Sequence, residues 1–340
     1  MPHLVRLETF DAEIEVAEDE TILEIALEEN IAYPFGCASG NCGACKSRLI
    51  RGTVHMRGHS AFALTEDEAA RGLILACRAE PRGDCTVAVL NYDDAVAHPL
   101  KRLVGEVASV ERLTHDIAAV RVQLPEPMAY TAGQFASVAF PGFPARDYSF
   151  AAPFDPSGMV EFHVRKLAAG GVSAFILDEL AAGEAVAVQG PLGFAFLREA
   201  ETGPIFAVAG GSGLAPVHAI LQSALQAGAG DRPAHLWFGA RAERDVYLEA
   251  ALKALPGLGL KIALSEPDGA TDRPVGFVTD ILAADLQALG PAALDGARAY
   301  LAGPPPMVEA AVRIFQAAGL DPARIHADAF YTEAEKQALA

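Results

Sequence analysis

Four cysteines constrain this chain more than any other feature. Residues 37–45 read CASGNCGAC, and Cys77 follows alone in LILACRAE. The spacing is Cys37-x4-Cys42-x2-Cys45, then thirty-one residues, then Cys77. Four thiolates so spaced hold a 2Fe–2S cluster. A loop around a cluster must turn its N–H groups toward inorganic sulfides, which small residues permit. Ala38, Ser39, Gly40, Gly43 and Ala44 fill the gaps. Cys77 ends an apolar run, so the fourth ligand is expected from a strand elsewhere in the fold. Zinc also takes four thiolates, but usually as two short pairs rather than three plus one. A disulfide framework calls for a short chain in an oxidising compartment, and neither is indicated. Cys85 lies in the strand-like run CTVAVL and reads as a buried, inert thiol.

With 340 residues and 51% hydrophobic content, the chain can build two or three domains with proper cores. No apolar run approaches a membrane span, and MPHLVRLETF lacks the apolar core of a signal peptide. Cluster assembly needs reduced thiols, so a cytoplasmic location is expected. The net charge of −18 argues against nucleic-acid binding. Residues 1–95 hold 8 Lys and Arg against 17 Asp and Glu. That excess suits either an acidic electron-transfer face or ordinary solubility.

Residues 3–9 and 12–17 alternate as a hairpin does, and TILEIALEEN has helical spacing with Asp19 or Thr21 as N-cap. A strand follows the cysteine loop around Ser47–Arg51, and Thr65 to Glu68 forms a capping-box pattern. These elements predict a small β-grasp domain over residues 1–92, with NYDDAVAHPLK as a linker. Residues 98–200 hold six short alternating runs, from GEVASVERL to EAVAVQG, interrupted by one helix near Ser173–Leu180. That density predicts an antiparallel barrel. Over 201–340 the runs PIFAVAG, AHLWFGA, LKIALSE and ARAYLAG alternate with helical stretches at 215–227, 246–254, 279–288 and 306–317. This is the pattern of a parallel α/β sheet, with Trp237 in its core.

Two more regions carry chemistry. Arg146, Tyr148 and Ser149 share a barrel strand, offering a guanidinium for a pyrophosphate, a ring for a flat heterocycle and a hydroxyl for a ring nitrogen. Arg165 precedes Gly170-Gly171-Val172-Ser173, a turn opening a helix, where either an anion site or a plain N-cap fits. In the third region Gly210-Gly211-Ser212-Gly213-Leu214-Ala215-Pro216 joins strand to helix without Gly-x-Gly-x-x-Gly spacing. Gly303, Pro304 and Met307 form a second such turn, and turns of this kind line the ligand crevice of a doubly wound sheet.

Taken in order, these motifs resemble the ferredoxin–NADP reductase superfamily. With the N-terminal plant-type ferredoxin pattern, the whole chain resembles the reductase component of bacterial ring-hydroxylating dioxygenases, of the naphthalene dioxygenase type. HPLKRLVGEVASVERLTHDI, HVRK, GPLGFAFLRE and IHADAFY add to the likeness. The resemblance implies a β-grasp 2Fe–2S domain, a six-stranded FAD-binding barrel and a parallel α/β NAD-binding domain. It implies FAD contacts at Arg146, Tyr148, Ser149, His163, Val164, Arg165, Gly170, Gly171, Val172 and Ser173, with Ser149 catalytic. It implies a nicotinamide dinucleotide at Gly211–Pro216, Arg241, Asp245, Gly303, Pro304 and Met307, and after Trp237. Phe330 or Tyr331 is expected to cover the flavin, or else to pack the last strand. Hydride would pass from NADH to FAD, and single electrons through the cluster to a ferredoxin or terminal oxygenase. Two other readings share these features: the reductase of a di-iron phenol or methane monooxygenase, and a redox sensor.

The chain departs from the family pattern or leaves it open in three respects. Ala302 stands where many relatives have Cys, which leaves hydride transfer to Ser149 and packing. Gly36 and Ala44 replace hydroxyl residues, removing bonds to cluster sulfurs and predicting a low cluster potential. In Arg241-Ala-Glu243-Arg244-Asp245 the carboxylates favour NADH, whereas the two arginines would welcome a 2′-phosphate.

Overall fold

A computed structural model of the chain describes residues 2–41, 43–61, 63–90, 98–168, 171–226, 232–332 and 335. Cys42, Gly170 and linker residues 91–97 lie outside the described residues. The chain divides into two compact units, residues 1–97 with 331–340, and residues 98–330.

In the first unit, β1 (His3–Leu7) and β2 (Ala12–Val16) form the hairpin, followed by α1 (Ile22–Glu28). Thr21 is the N-cap: its hydroxyl accepts from the Glu24 N–H while the Glu24 carboxylate accepts from the Thr21 N–H. Beyond the cysteine loop come β3 (Lys46–Arg51), β4 (Val54–Met56), α2 (Glu66–Ala70), β5 (Leu73–Leu75), β6 (Ala79–Pro81) and β7 (Cys85–Val89). Thr65 and Glu68 form the second capping box. The sheet runs β2-β1-β7-β3-β5, with β1 and β7 parallel, and α1 buries Ile22, Leu23 and Ala26 in its core. Cys85 is buried there, and burial, with the Asp84 charge, pushes its thiol up to about 11. Burial of this kind is the setting of a structural thiol.

The second unit opens with β8 (Lys101–Arg112), β9 (Ile117–Gln123), β10 (Phe135–Ala139), β11 (Arg146–Ser149), β12 (Met159–Arg165), α3 (Gly171–Asp178) and β13 (Ala185–Leu192). The six strands are antiparallel in the order β11-β10-β13-β8-β9-β12, and a single bridge between Phe150 and Phe162 nearly closes them into a barrel. Alternation along β12 sends Val160, Phe162 and Val164 into the barrel core and Glu161, His163 and Arg165 to the opposite face.

The remainder is β14 (Ile205–Gly210), α4 (Leu214–Gln226), β15 (Ala234–Ala240), α5 (Glu249–Lys253), β16 (Leu258–Leu264), α6 (Val278–Leu289), β17 (Arg298–Gly303), α7 (Pro305–Ala317) and β18 (Ile325–Ala329). The strands are all parallel, ordered β16-β15-β14-β17-β18. The central strands β14 and β17 are buried along their whole length, as a sheet covered on both faces requires. On α4, Leu214, Val217, Leu221, Ala224 and Leu225 form the stripe that packs on the sheet. Trp237 is buried, stacks on Phe206 and donates its indole N–H to Asp285 at 2.7 Å.

Just before β14 the chain passes another backbone at very close range. A Cβ on Gly203 would lie 2.1 Å from the Gly296 carbonyl oxygen. Backbone cannot yield there as a flexible side chain can. Gly203→Ala is therefore expected to destabilise the second unit by about 1–3 kcal/mol, read as a lower Tm. An unchanged Tm would contradict this account of the contact.

Candidate functional site

The cysteine loop is shaped by three residues with left-handed backbone, Ala38 at φ 49°, Gly40 at 78° and Gly43 at 74°. This path aims the N–H groups of Ser39 and Asn41 at the Cys37 sulfur, at 3.5 and 3.2 Å. Cys45 and Cys77 are buried thiols with their sulfurs 3.3 Å apart. Asn41 is fully buried, yet its Oδ1 meets no hydrogen-bond donor among the described residues. Converging thiols, inward N–H groups and an orphaned buried carbonyl fit a sulfide-bridged cluster on Cys37, Cys45 and Cys77, with Cys42 as the expected fourth ligand. Cys77 lies two residues beyond the end of β5, so a separate strand delivers it. The ligand segments are tied together: the Cys45 carbonyl accepts from the Ala76 N–H at 3.2 Å and from the Ser47 hydroxyl at 3.0 Å. Ser47 in turn meets the buried Tyr33 hydroxyl at 2.6 Å. Tyr331 also belongs to this unit, and its hydroxyl donates to the Asn41 carbonyl at 3.3 Å.

On the barrel, β11 carries Arg146, half-buried Tyr148 and buried Ser149. The Ser149 hydroxyl reaches Asp328 Oδ2 on β18, at 3.4 Å. A barrel hydroxyl and a sheet carboxylate thus face each other across the crevice of the second unit. The side chain of Val164 is core, so only its backbone can meet a ligand. His163 is almost fully buried, with Nε2 on Glu161 Oε1 at 3.0 Å and its ring edge-on to Tyr247. Burial would raise the Glu161 carboxyl, but His163 and Arg121 together hold it below the usual carboxylate range. Gly171 begins α3, Val172 is core, and the Ser173 hydroxyl accepts the Leu167 N–H at 3.0 Å. That bond ties Leu167 to the first turn of α3. Arg146, Tyr148 and the start of α3 offer a guanidinium, a ring and N–H groups, a donor set that fits FAD.

In the α/β part the two glycine turns meet. A Cβ on Gly213 would fall 2.1 Å from the Ala302 carbonyl, and one on Gly210 would fall 2.7 Å from Met307 Sδ. Gly303, at φ 143°, packs on the Gly210 backbone. Leu214, Ala215 and Pro216 are buried, so their side chains hold α4 while Gly211 and Ser212 remain half-buried in the opening. Phe330 continues β18, donating its N–H to the Gly303 carbonyl at 2.9 Å.

Charges converge beside this opening. Arg165 donates from Nε to Asp116 Oδ2 at 2.8 Å, and Arg241 lies 3.5 Å from the same oxygen. Asp245 gives one oxygen to the Ala242 N–H, and its other lies 3.7 Å from Arg241 and 3.6 Å from His115. His115, Asp116 and Asp245 could gather around a cation, but two guanidiniums already neutralise those carboxylates. Asp116, Asp328, Glu161 and Tyr247 were not foreseen from sequence. Each acts through a partner at least 40 residues away or through a contact between the barrel and the sheet, except the local Glu161–His163 pair, which strand alternation alone suggests.

Comparison with known proteins agrees with this architecture. Residues 5–82 match the 2Fe-2S iron-sulfur cluster binding domain, 105–196 the oxidoreductase FAD-binding domain and 207–313 the oxidoreductase NAD-binding domain. The chain is 37% identical over 331 residues to the ferredoxin–NAD(P)+ reductase component of the naphthalene 1,2-dioxygenase/salicylate 5-hydroxylase systems of Ralstonia sp., covering 96% of this chain and 98% of that one. It is 33% identical over 345 residues to the propane 2-monooxygenase reductase component of Mycolicibacterium goodii, covering 96% and 97%. The crystal structure of the Amycolatopsis cytochrome P450 reductase GcoB superposes with a TM-score of 0.78 at 32% identity, covering 96% and 98%. Among the described residues no helix is long and apolar enough to cross a membrane. The chain belongs to the family of ferredoxin–NAD(P)+ reductase components, in which 2Fe–2S, FAD-binding and NAD-binding domains follow one another in one polypeptide.

Proposed function

We propose that this chain is the NADH-oxidising reductase of an aromatic-ring-hydroxylating dioxygenase system, delivering single electrons to a ferredoxin or terminal oxygenase. The observation that carries the reading is the pairing of a thiol loop built for a cluster with a second unit whose barrel and sheet present their ligand loops to one crevice. Bound FAD supplies the change from a hydride's two electrons to the one the cluster accepts. The chain's own residues do the rest. Arg146, Tyr148 and the start of α3 bind the flavin, and Gly211–Gly213 and Gly303–Met307 seat the coenzyme phosphates. Ser149 Oγ faces the reacting ring system and donates its one proton there when it turns from Asp328 Oδ2, which holds it at 3.4 Å beforehand. Cysteines kept as thiols suit a reducing cytoplasm.

The deciding experiment mixes purified, fully loaded protein with NADH and each acceptor in turn. Aromatic dioxygenation should be restored with a ring-hydroxylating oxygenase and its ferredoxin. Restoration only with a di-iron monooxygenase would move the chain to the second kind of system, represented by the propane 2-monooxygenase relative.

Replacing Ser149 by Ala should slow flavin bleaching by NADH about tenfold in stopped flow, with FAD and iron content unchanged. An unaltered rate would remove Ser149 from the reacting centre.

Coenzyme choice follows the carboxylates after β15. Glu243 lies where an adenosine ribose would sit and is held in place by Arg273, at 2.8 and 3.0 Å, and by Thr271. A fixed carboxylate accepts from a 2′-hydroxyl and repels a 2′-phosphate. The kcat/KM with NADH should exceed that with NADPH by about tenfold or more. Equal values would overturn the preference.

A further inference from the structure

Asp116 lies in the run HPLKRLVGEVASVERLTHDI with no role of its own expected from sequence, yet more of the crevice charges meet at it than at any other described residue. It sits in the turn between β8 and β9, where Thr114 fixes it: the Thr114 hydroxyl donates to Asp116 Oδ1 at 3.0 Å and accepts the Asp116 N–H at 3.2 Å. The Asp116 carbonyl accepts the Lys166 N–H at 2.7 Å, and its Oδ2 accepts Arg165 Nε at 2.8 Å. Backbone and side chain of one residue therefore grip both neighbours at the end of β12.

The choice of edge matters. Asp116 engages Arg165 through Nε, which turns NH1 outward. That nitrogen lies 2.8 Å from the point where a Cβ on Gly211 would stand. Gly211 itself is at φ 54°, in the turn that opens the thirteen-residue helix α4. The Tyr247 hydroxyl donates to the Gly211 carbonyl at 3.4 Å, leaving the N–H side of the turn to a ligand. Arg241 is half-exposed and only loosely tied, at 3.5 Å to Asp116 and 3.7 Å to Asp245. One guanidinium is clamped and one can swing, and both flank a helix N-terminus. Burial would raise the Asp116 carboxyl, but the bond and charge of Arg165 hold it below its ordinary value, so it stays an anion.

We propose that Asp116 is a positioning residue for the coenzyme, aiming Arg165 and Arg241 at the pyrophosphate of a dinucleotide lying over the Gly211–Gly213 turn. This rests on the nicotinamide-dependent reading above. It assigns Arg165 to the coenzyme rather than to the FAD phosphates that the family resemblance implied.

The test uses the loaded enzyme with Asp116→Asn and Arg165→Met, singly and together. The probes are NADH as substrate, ADP-ribose as an inhibitor that keeps the pyrophosphate, and adenosine as one that lacks it. Asp116→Asn should raise the NADH KM and the ADP-ribose inhibition constant about tenfold, with kcat and the adenosine constant within about twofold. In the Arg165→Met background the same change should add little, because the two residues act as one unit. Asp116→Glu, which keeps the charge, should recover part of the loss. FAD content and absorbance report whether each variant is folded. The proposal is overturned if Asp116→Asn lowers kcat with KM unmoved, if ADP-ribose and adenosine weaken equally, or if the two losses simply add. Wild-type protein that oxidises neither NADH nor NADPH would sink the functional reading itself, whereas an active wild type matched by Asp116→Asn in every constant sinks only this inference.

Discussion

The second unit depends on backbone meeting backbone at the carboxyl ends of β14 and β17. Gly210, Gly213 and Gly303 let the two turns close on each other at distances no Cβ would tolerate. Their closeness fixes where α4 and α7 begin, and so where helix N-termini can face an anion. Arg165 can rest on Gly211 only because that residue has no side chain. The site's electrostatics thus follow from a steric fact about three or four residues.

Around that contact the crevice carries paired charges rather than apolar surface. Arg121, Glu161 and His163 form one chain of contacts, and Arg165, Asp116, Arg241 and Asp245 another. Such pairs add little net stability, because desolvation offsets most of their attraction. They do supply direction. A guanidinium bound through Nε presents its remaining N–H groups along one line, which an apolar contact cannot do. Asp116 holds Arg165 at fixed orientation before any ligand arrives, which is how a site avoids reorganising when charge moves.

Much of this was legible in the sequence where the chemistry is local. The cysteine spacing, both capping boxes and the glycine turns each lie within a few residues, and strand and helix periods placed the barrel and the parallel sheet. Other features resisted. Val164, Leu214 and Ala215 fall inside motifs, yet their side chains are core, since a motif's spacing does not say which of its members faces the ligand. Asp116 and Asp328 lay in recognised runs, but their roles were hidden because their partners lie 49 and 179 residues away. Nothing in a single sequence distinguishes such an aspartate from one that solvates a surface. His163 lay in a recognised run, and only alternation along β12 shows its ring turned from the barrel interior toward Tyr247.

The same distinction between a residue's presence and its engagement governs the region after β15. Counting charges in Arg241-Ala-Glu243-Arg244-Asp245 leaves the coenzyme undecided, because acids and bases nearly balance. Their partners break the tie. Arg273 gives Nε to Glu243 and both terminal nitrogens to Glu249, at 2.8 to 3.2 Å, so one N–H on each of its three nitrogens is engaged within the protein. The bonds from Arg273 and Lys253 hold the Glu249 carboxyl at about 2, below the usual carboxylate range. Arg241 is drawn toward Asp116 and Asp245, away from a ribose. A 2′-phosphate arriving beside Glu243 would therefore meet a carboxylate fixed in place and a guanidinium whose charge is already paired with two carboxylates. A 2′-hydroxyl needs only the carboxylate. On the proposed reading, selectivity resides less in the acid itself than in Arg273, which orients that acid while its own charge is already balanced by Glu243 and Glu249.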